Sequence, residues 1–244
     1  MRNGHSVLAK EGLRVTDLSI PEYSKDYAKE VRIMDLCLRN IFNAFEEREA
    51  TEQDLISQLE LNEYMDRRDE FLISIGRESG TLINLLAKAA KARRILELGT
   101  CYGYSTLWLA DAARATGGTV TTCEIIPAKL RSAQETIAKS GLATYVDFQL
   151  GDALETIGRF TECFDFVLLD LWKDTYISAF DAFYPKLNDG AYVVADNMLS
   201  PERYKSAAVA YRTFVNSKSG ITSVLLPIGN GLELSRYENS GPAR

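Results

Sequence analysis

An α/β fold, doubly wound about a mostly parallel seven-stranded sheet with one antiparallel strand and with N-terminal helices ahead of it, is predicted by three observations. From Arg94 onward, short apolar runs alternate with helix-length segments, the pattern of a parallel sheet covered on both faces. Two of the runs end in acids: Phe166-Val167-Leu168-Leu169 leads into Asp170, and Ala191-Tyr192-Val193-Val194-Ala195 leads into Asp196-Asn197. The last two runs are separated only by Pro227-Ile228-Gly229-Asn230, too short for a crossover, so they form an antiparallel hairpin.

Taken in order, residues 1–20 read as an extended arm. Over 22–49, Tyr27, Val31, Met34, Leu38, Ile41, Phe42 and Phe45 recur at spacings of three and four, which predicts a helix with one apolar stripe. The polar stretch Glu46 to Asp54 is expected to break it, and residues 61–80 show no single period. Leu82, Leu85, Leu86 and Ala89 mark a helix that ends at the basic segment Lys91-Ala92-Arg93-Arg94, a solvated end of the sign a helix C-terminus favours. The alternation then gives strands at 94–98, 119–124, 145–149, 164–170 and 191–196, and helices at about 105–115, 127–140, 152–159, 174–186 and 201–217. Strands 221–227 and 231–237 close the sheet. Pro127 stands where one helix begins and Gly141 where it stops.

The 244 residues carry a net charge of −6, which disfavours a nucleic-acid partner. No run of 18 apolar residues and no apolar N-terminal segment is present, so neither a membrane partner nor a signal peptide is expected. Four cysteines at 37, 101, 123 and 163 form no CxxC pair and read as reduced thiols of a cytoplasmic protein, with Cys123 and Cys163 small and buried. The single histidine, His5, lies near the terminus. A histidine base, a Ser-His-Asp triad and a histidine zinc site are therefore excluded, and acid–base work falls to Lys, Asp, Glu or Tyr.

Where Asp170 and Asp196 end neighbouring strands, two carboxylates and the Asn197 amide meet at the carboxyl edge of the sheet, the place open α/β folds use for ligands. Such hard oxygens suit Mg²⁺ or Ca²⁺. The bland alternative makes Asp196-Asn197 a helix cap or a turn ahead of Pro201. Upstream, Ile95-Leu96-Glu97-Leu98-Gly99-Thr100-Cys101-Tyr102-Gly103-Tyr104-Ser105 runs from strand to loop to helix as G-x-x-x-G, not the G-x-G-x-x-G of a dinucleotide fold. The free N–H groups of that helix start would suit a cofactor carboxylate near Ser105 or a pyrophosphate. Glu124, at the tip of the next strand, is placed to accept two ribose hydroxyls. Asp152 in Leu150-Gly151-Asp152-Ala153 either hydrogen-bonds an adenine amino group or caps the following helix. Glu97, a charge inside a strand, needs a partner: a ligand ammonium, an arginine or a lysine. Lys173 is either a base of lowered pKa or an exposed lysine paired with Asp174.

Glu97-Leu-Gly-x-x-x-Gly-Tyr-Ser105, Glu124, Gly151-Asp-Ala153, Asp170-x-Trp-Lys-Asp-x-Tyr176 and Ala195-Asp-Asn197 occur in an order that resembles the cation-dependent O-methyltransferases, which include the catechol and caffeoyl-CoA enzymes. The likeness covers roughly residues 70–237, and the stretch LDLWKDTY is most like the catechol type. It implies the Rossmann-like class I methyltransferase fold, whose parallel sheet closes with one antiparallel strand. It also implies a single methyltransferase domain over 1–244: an N-terminal arm and helices over 1–75, a catalytic α/β core over 76–238 and a tail over 239–244. S-adenosylmethionine would be touched by Ile75, Glu97, Gly99, Gly103, Ser105, Glu124, Asp152, Ala153, Asp170 and Trp172. Asp170, Asp196 and Asn197 would hold Mg²⁺ or a similar divalent cation, and Lys173 would be the catalytic base. A small catechol-like phenol is the implied substrate; the N-terminal helical stripe serves the cleft wall, the core or a dimer contact, and the last of these would make a homodimer. One position departs from the pattern. Animal catechol enzymes carry a glutamate in the strand before the final hairpin turn, where this chain has Val224. Rival readings are an RNA or protein methyltransferase, an NAD(P)-dependent oxidoreductase and a non-catalytic cofactor-binding regulator.

Overall fold

A computed structural model of the chain describes residues 36–239. The arm at 1–20, and the stripe positions Tyr27, Val31 and Met34, lie outside the described residues. The chain divides into two units, Met1–Arg39 and Asn40–Arg244. Of the first, only 36–39 are described, as the start of a helix.

That helix, α1, runs over Leu36–Ile56. The break expected at Glu46–Asp54 is corrected. Its Glu, Arg, Ala and Gln residues are good helix formers, and Arg48 bonds Glu52 one turn on at 2.7 Å. A polar stretch here is a solvated face, not a stop. Within the second unit Phe42 and Phe45 are buried. Phe42 packs on Tyr104 and Trp108, with ring centroids 5.3 and 4.2 Å away, and Phe45 meets Tyr104 at 5.6 Å. The undivided stretch resolves into helix α2, Leu61–Arg67, a 3₁₀ turn over Arg68–Glu70, an extended link, and helix α3, Gly76–Ala89. The inward face of α3 is Ser79, Gly80, Ile83, Asn84 and Ala87, whereas Leu85 is exposed. The expected leucine stripe is therefore rotated. Asn84 turns inward because its amide donates to the Trp108 carbonyl at 2.7 Å and to Asp111 at 3.1 Å.

From there the elements alternate as read from the sequence: β1 Arg94–Leu98, α4 Tyr104–Thr116, β2 Thr119–Glu124, α5 Pro127–Ser140, β3 Val146–Leu150, α6 Ala153–Arg159, β4 Phe164–Leu169, α7 Tyr176–Phe183, β5 Leu187–Ala195, α8 Lys205–Asn216, β6 Ile221–Leu226 and β7 Leu232–Tyr237. Pro127 opens α5, and Gly141 ends it in the left-handed region with φ 75°. The sheet order is β3-β2-β1-β4-β5-β7-β6, with β7 antiparallel to both neighbours.

The apolar runs explain this architecture. Leu96 and Leu98, Val167 and Leu169, and Val193 and Ala195 share one face of the sheet. They pack against Ile157 of α6, Phe180 and Phe183 of α7, and Tyr211 and Val215 of α8. Each fully buried aliphatic or phenylalanine side chain contributes roughly 1.5–3 kcal/mol. Among the described residues no helix is long and apolar enough to cross a membrane. Cys123 is buried as expected, but Cys163 is only half-buried, because it precedes β4 instead of lying within it.

Candidate active site

Parallel pairing brings the strand ends together. Leu169 of β4 pairs with Ala195 of β5, and Asp196 N–H donates to the Leu169 carbonyl at 3.1 Å. Asp170 N–H donates to the Leu98 carbonyl at 2.9 Å. Asp170 and Asp196 therefore leave adjacent strands at the same level of the carboxyl edge. Gly99 follows β1 with φ 104°, and a Cβ there would collide with the Asp170 carbonyl oxygen. Glycine at this position is what lets the tips of β1 and β4 close up.

A cleft of about 710 Å³ runs along this edge, a volume typical of small-molecule sites. Gly99, Glu124, Asp152 and Ala153 line it on the β1–β3 side, and Asp170, Trp172, Lys173 and Asn197 on the β4–β5 side. Glu49, Gln53, Tyr64 and Ser74 wall it, so the segment preceding the α/β core shapes the cleft. Ile75, Glu97, Gly103, Ser105 and Asp196 do not line it. Ile75, Ser105 and Asp196 are buried at 3%, 6% and 1% exposure, and Gly103 begins α4.

Each predicted polar residue has a definite setting. Glu124 accepts Cys101 N–H at 2.9 Å on Oε2 and Ile126 N–H at 2.8 Å on Oε1. These bonds fix the carboxylate and leave acceptor capacity on both oxygens. Asp152 is a helix cap: Oδ1 accepts from Leu154 and Glu155 N–H at 2.8 and 3.0 Å. Since the residue also lines the cleft, capping holds it in place there. Trp172, at 36% exposure, is not a core aromatic and carries the Arg68 guanidinium 4.2 Å over its ring.

Glu97 finds neither arginine nor lysine among its hydrogen-bond partners. Thr106 and Thr122 hydroxyls donate to its Oε2 at 2.5 and 2.6 Å, while the buried Oε1 has no partner. Burial pushes its pKa up to about 7, opposed by the hydroxyls of Thr106, Thr122 and Ser105 and reinforced by Asp170. The folded chain thus holds a proton that the unfolded chain releases from about pH 4.5 upward. Its contribution is full below that value and is lost as pH rises through about 7. The gap corresponds to about 3 kcal/mol. Without ligands, Glu97→Gln should therefore unfold several degrees higher than wild type at pH 8 and match it near pH 4.5. Scanning calorimetry at both values checks this, and equal midpoints at pH 8 would contradict it.

Lys173 is buried, not an exposed partner of Asp174. Its Nζ donates to the Asp196 carbonyl at 2.7 Å and lies 3.5 Å from the Tyr176 ring centroid. The Tyr176 hydroxyl donates to the same carbonyl at 3.1 Å. Desolvation lowers the Lys173 pKa to about 8 against the pull of Asp170 and Asp196. Burial lifts Asp170 to about 6, opposed by Lys173. Asp196 is raised well above the carboxylate range by burial and by Asp170. Its Oδ1 is buried without a partner. Asn197 takes φ 53°, a conformation asparagine tolerates, and the next helical turn begins only at Glu202, so the pair is no helix cap.

Among the described residues no group of three His, Cys, Asp or Glu side chains could hold a metal ion. The set at this edge is two carboxylates and an amide. It fits a divalent cation on two observations: an orphaned buried carboxylate oxygen, and two acids whose charges oppose each other. Hard oxygen donors suit Mg²⁺.

Sequence reasoning missed Tyr64, Arg203, Tyr204 and Asn230, all of which line the cleft. Tyr64 lay in the stretch without a period; Arg203 and Tyr204 lie in the segment read as a helix over 201–217, which begins with the 3₁₀ turn Glu202–Tyr204 and turns α-helical only at Lys205; Asn230 lies in the hairpin turn. Val224 lies in β6 opposite Leu234, half-exposed and not lining the cleft; Asn230 of the hairpin turn does line it.

A catechol O-methyltransferase of Niastella koreensis is 34% identical over 131 residues, 52% of this chain and 59% of the relative's length. The chain thus spans less than two thirds of that relative. A caffeoyl-CoA O-methyltransferase of Eucalyptus globulus is 27% identical over 201 residues, 74% of this chain and 81% of the other. The crystal structure of an O-methyltransferase from Bacillus cereus in complex with SAH superposes with a TM-score of 0.66, at 21% identity, over 88% of this chain and 97% of the other, a likeness of fold. The O-methyltransferase family profile matches residues 46–237, which contain every strand of the sheet and all the residues predicted for the site, and the chain therefore belongs to the O-methyltransferase family.

Proposed function

We propose that this protein transfers the methyl group of S-adenosylmethionine to one hydroxyl of a small catechol-like phenol, with a divalent cation such as Mg²⁺ held by Asp170, Asp196 and Asn197. The observation that carries this reading is the meeting of two strand-end aspartates with the buried Lys173 at one edge of the cleft. The names of the catechol and caffeoyl-CoA relatives and the SAH-bound Bacillus structure support the reaction and the cofactor. Family membership removes support from the oxidoreductase reading.

Glu124 is suited to hold the ribose hydroxyls and Asp152 the adenine end, because backbone N–H groups already fix both carboxylates. A bound divalent cation would lower the pKa of a phenolic hydroxyl and offset the two aspartate charges. S-adenosylmethionine supplies an electrophilic methyl, so that an O–C bond forms as the S–C electron pair returns to sulfur. Lys173 Nζ, kept from full protonation by burial, takes the phenolic proton. Trp172, Tyr64 and Tyr204 exclude water from the reacting oxygen. The acidic charge supports an enzyme without a nucleic-acid partner, and a cytoplasmic location stays part of the proposal. A homodimer remains the proposed assembly.

Transfer of labelled methyl from S-adenosylmethionine to 1,2-dihydroxybenzene and to phenol, with Mg²⁺ present, tests this reading. The diol should be methylated at least about a hundredfold faster, since two oxygens orient it and one does not. Equal rates, or labelling of RNA but of neither phenol, would overturn it.

A further inference from the structure

The proposed reaction leaves the arginine that lines the cleft unused. Arg203 lies on the 3₁₀ turn Glu202–Tyr204 between β5 and α8, is exposed and lines the cleft. Its guanidinium stands 5.3 Å from the ring centroid of Tyr64 and 5.0 Å from that of Tyr204, two rings that also line the cleft. Among the described residues no carboxylate pairs with it, and the adjacent Glu202 is engaged by Lys205 at 2.9 Å. Arg68 stands over Trp172, equally without a carboxylate partner among the described residues. The acids beside Arg68 are occupied: Glu63 and Glu70 by Arg67 at 3.7 and 3.1 Å, and Asp69 by Lys129 at 3.2 Å.

A guanidinium stacked on aromatic faces keeps its plane while its N–H edges stay available. Those edges match a carboxylate or phosphate and have no capacity to accept. Position along the sheet decides which ligand they meet. Glu124 and Asp152 follow β2 and β3, at one end of the order β3-β2-β1-β4-β5. Arg203 follows β5, at the other end, on the side of Asp170, Asp196 and Lys173. The positive charge therefore serves the methyl acceptor, not the cofactor.

We infer that Arg203, seconded by Arg68 over Trp172, selects a vicinal diol phenol that carries an oxyanion, carboxylate or phosphate, on the side away from its hydroxyls. This rests on reading the cleft as an O-methyltransferase site, and it gives that site a substrate class. Arg203 contacts the substrate tail and sets specificity; it moves no proton.

The test compares kcat/KM for 3,4-dihydroxybenzoate, 1,2-dihydroxybenzene and the cationic dopamine in wild type, Arg203→Gln and Arg203→Lys. Wild type should favour the benzoate over the neutral diol by about tenfold or more, with dopamine last. Arg203→Gln should bring the benzoate-to-diol ratio near one, chiefly through KM, and Arg203→Lys should restore part of it. SAH binding by calorimetry establishes that each variant is folded. A wild type that favours neither the benzoate over the neutral diol nor the coenzyme A thioester over caffeate, or preferences that Arg203→Gln leaves unmoved, overturns this inference while the diol reaction stands. Methylation of none of the three overturns both. Caffeate against its coenzyme A thioester separates the two oxyanions: whichever preference Arg203→Gln removes names the carboxylate or the phosphate.

Discussion

Lys173→Met is expected to lower kcat by about 10²–10⁴-fold, the range for losing a positioned base, while SAH affinity stays within a few-fold of wild type. Methionine preserves length and an apolar stem against the Tyr176 ring, where Nζ now lies at 3.5 Å, so the fold is retained. What is removed is the amine. Its proton affinity is already reduced by burial, to about 8, which puts a usable fraction in the neutral form near neutral pH. Anchoring of Nζ on the Asp196 carbonyl ties the base to the same strand end as the proposed cation ligands. Single-turnover rates beside SAH titrations separate the two effects. A rate within a few-fold of wild type would remove Lys173 from the chemistry, and a collapse of SAH affinity would make its role structural.

Asp196→Asn should act in opposite directions on activity and stability. Asp196 is 1% exposed, and its Oδ1 has no hydrogen-bond partner. Its charged form faces Asp170, so burial and like charge both oppose ionisation. Removing the ionisable group should raise the stability of the cation-free protein above the ordinary carboxylate range, because there only the unfolded wild type gains by ionising. Because the folded-state pKa is raised, the wild-type penalty appears as pH rises above the ordinary carboxylate range. The gain should therefore be larger at pH 8 than at pH 5. Mg²⁺ should stabilise wild type by about 2.7 kcal/mol at a hundred times its Kd and Asp196→Asn hardly at all. Turnover should fall at least about 10²-fold. Melting curves with and without Mg²⁺, beside methyl-transfer rates, read all three. Equal Mg²⁺ stabilisation of both proteins would take Asp196 out of the ion site.

The legible part of the fold was the part with strong periodicity. Apolar runs such as Phe166–Leu169 have one physical explanation, a strand covered on both faces, and Pro127 and Gly141 mark the ends of α5. Asp170 and Asp196 were legible because a charge that ends such a run must lie at the sheet edge. The Glu46–Asp54 stretch misled because polarity was read as a break, when Arg48 and Glu52 support the helix. Glu97 was expected to need a cation, but threonine hydroxyls from β2 and α4 take one of its oxygens. Those contacts depend on strand order, which spacing does not encode. Tyr64 reaches the cleft from helix α2, Arg203 from a 3₁₀ turn and Asn230 from the hairpin turn, and their convergence is a property of tertiary structure alone.

Methyl transfer to a vicinal diol, followed in one sample as EDTA and then Mg²⁺ are added, bears most directly on the shared grip of Asp170, Asp196 and Asn197 on a divalent ion. Turnover should cease in EDTA and return in proportion to one ion bound per chain. Undiminished turnover in EDTA would contradict it.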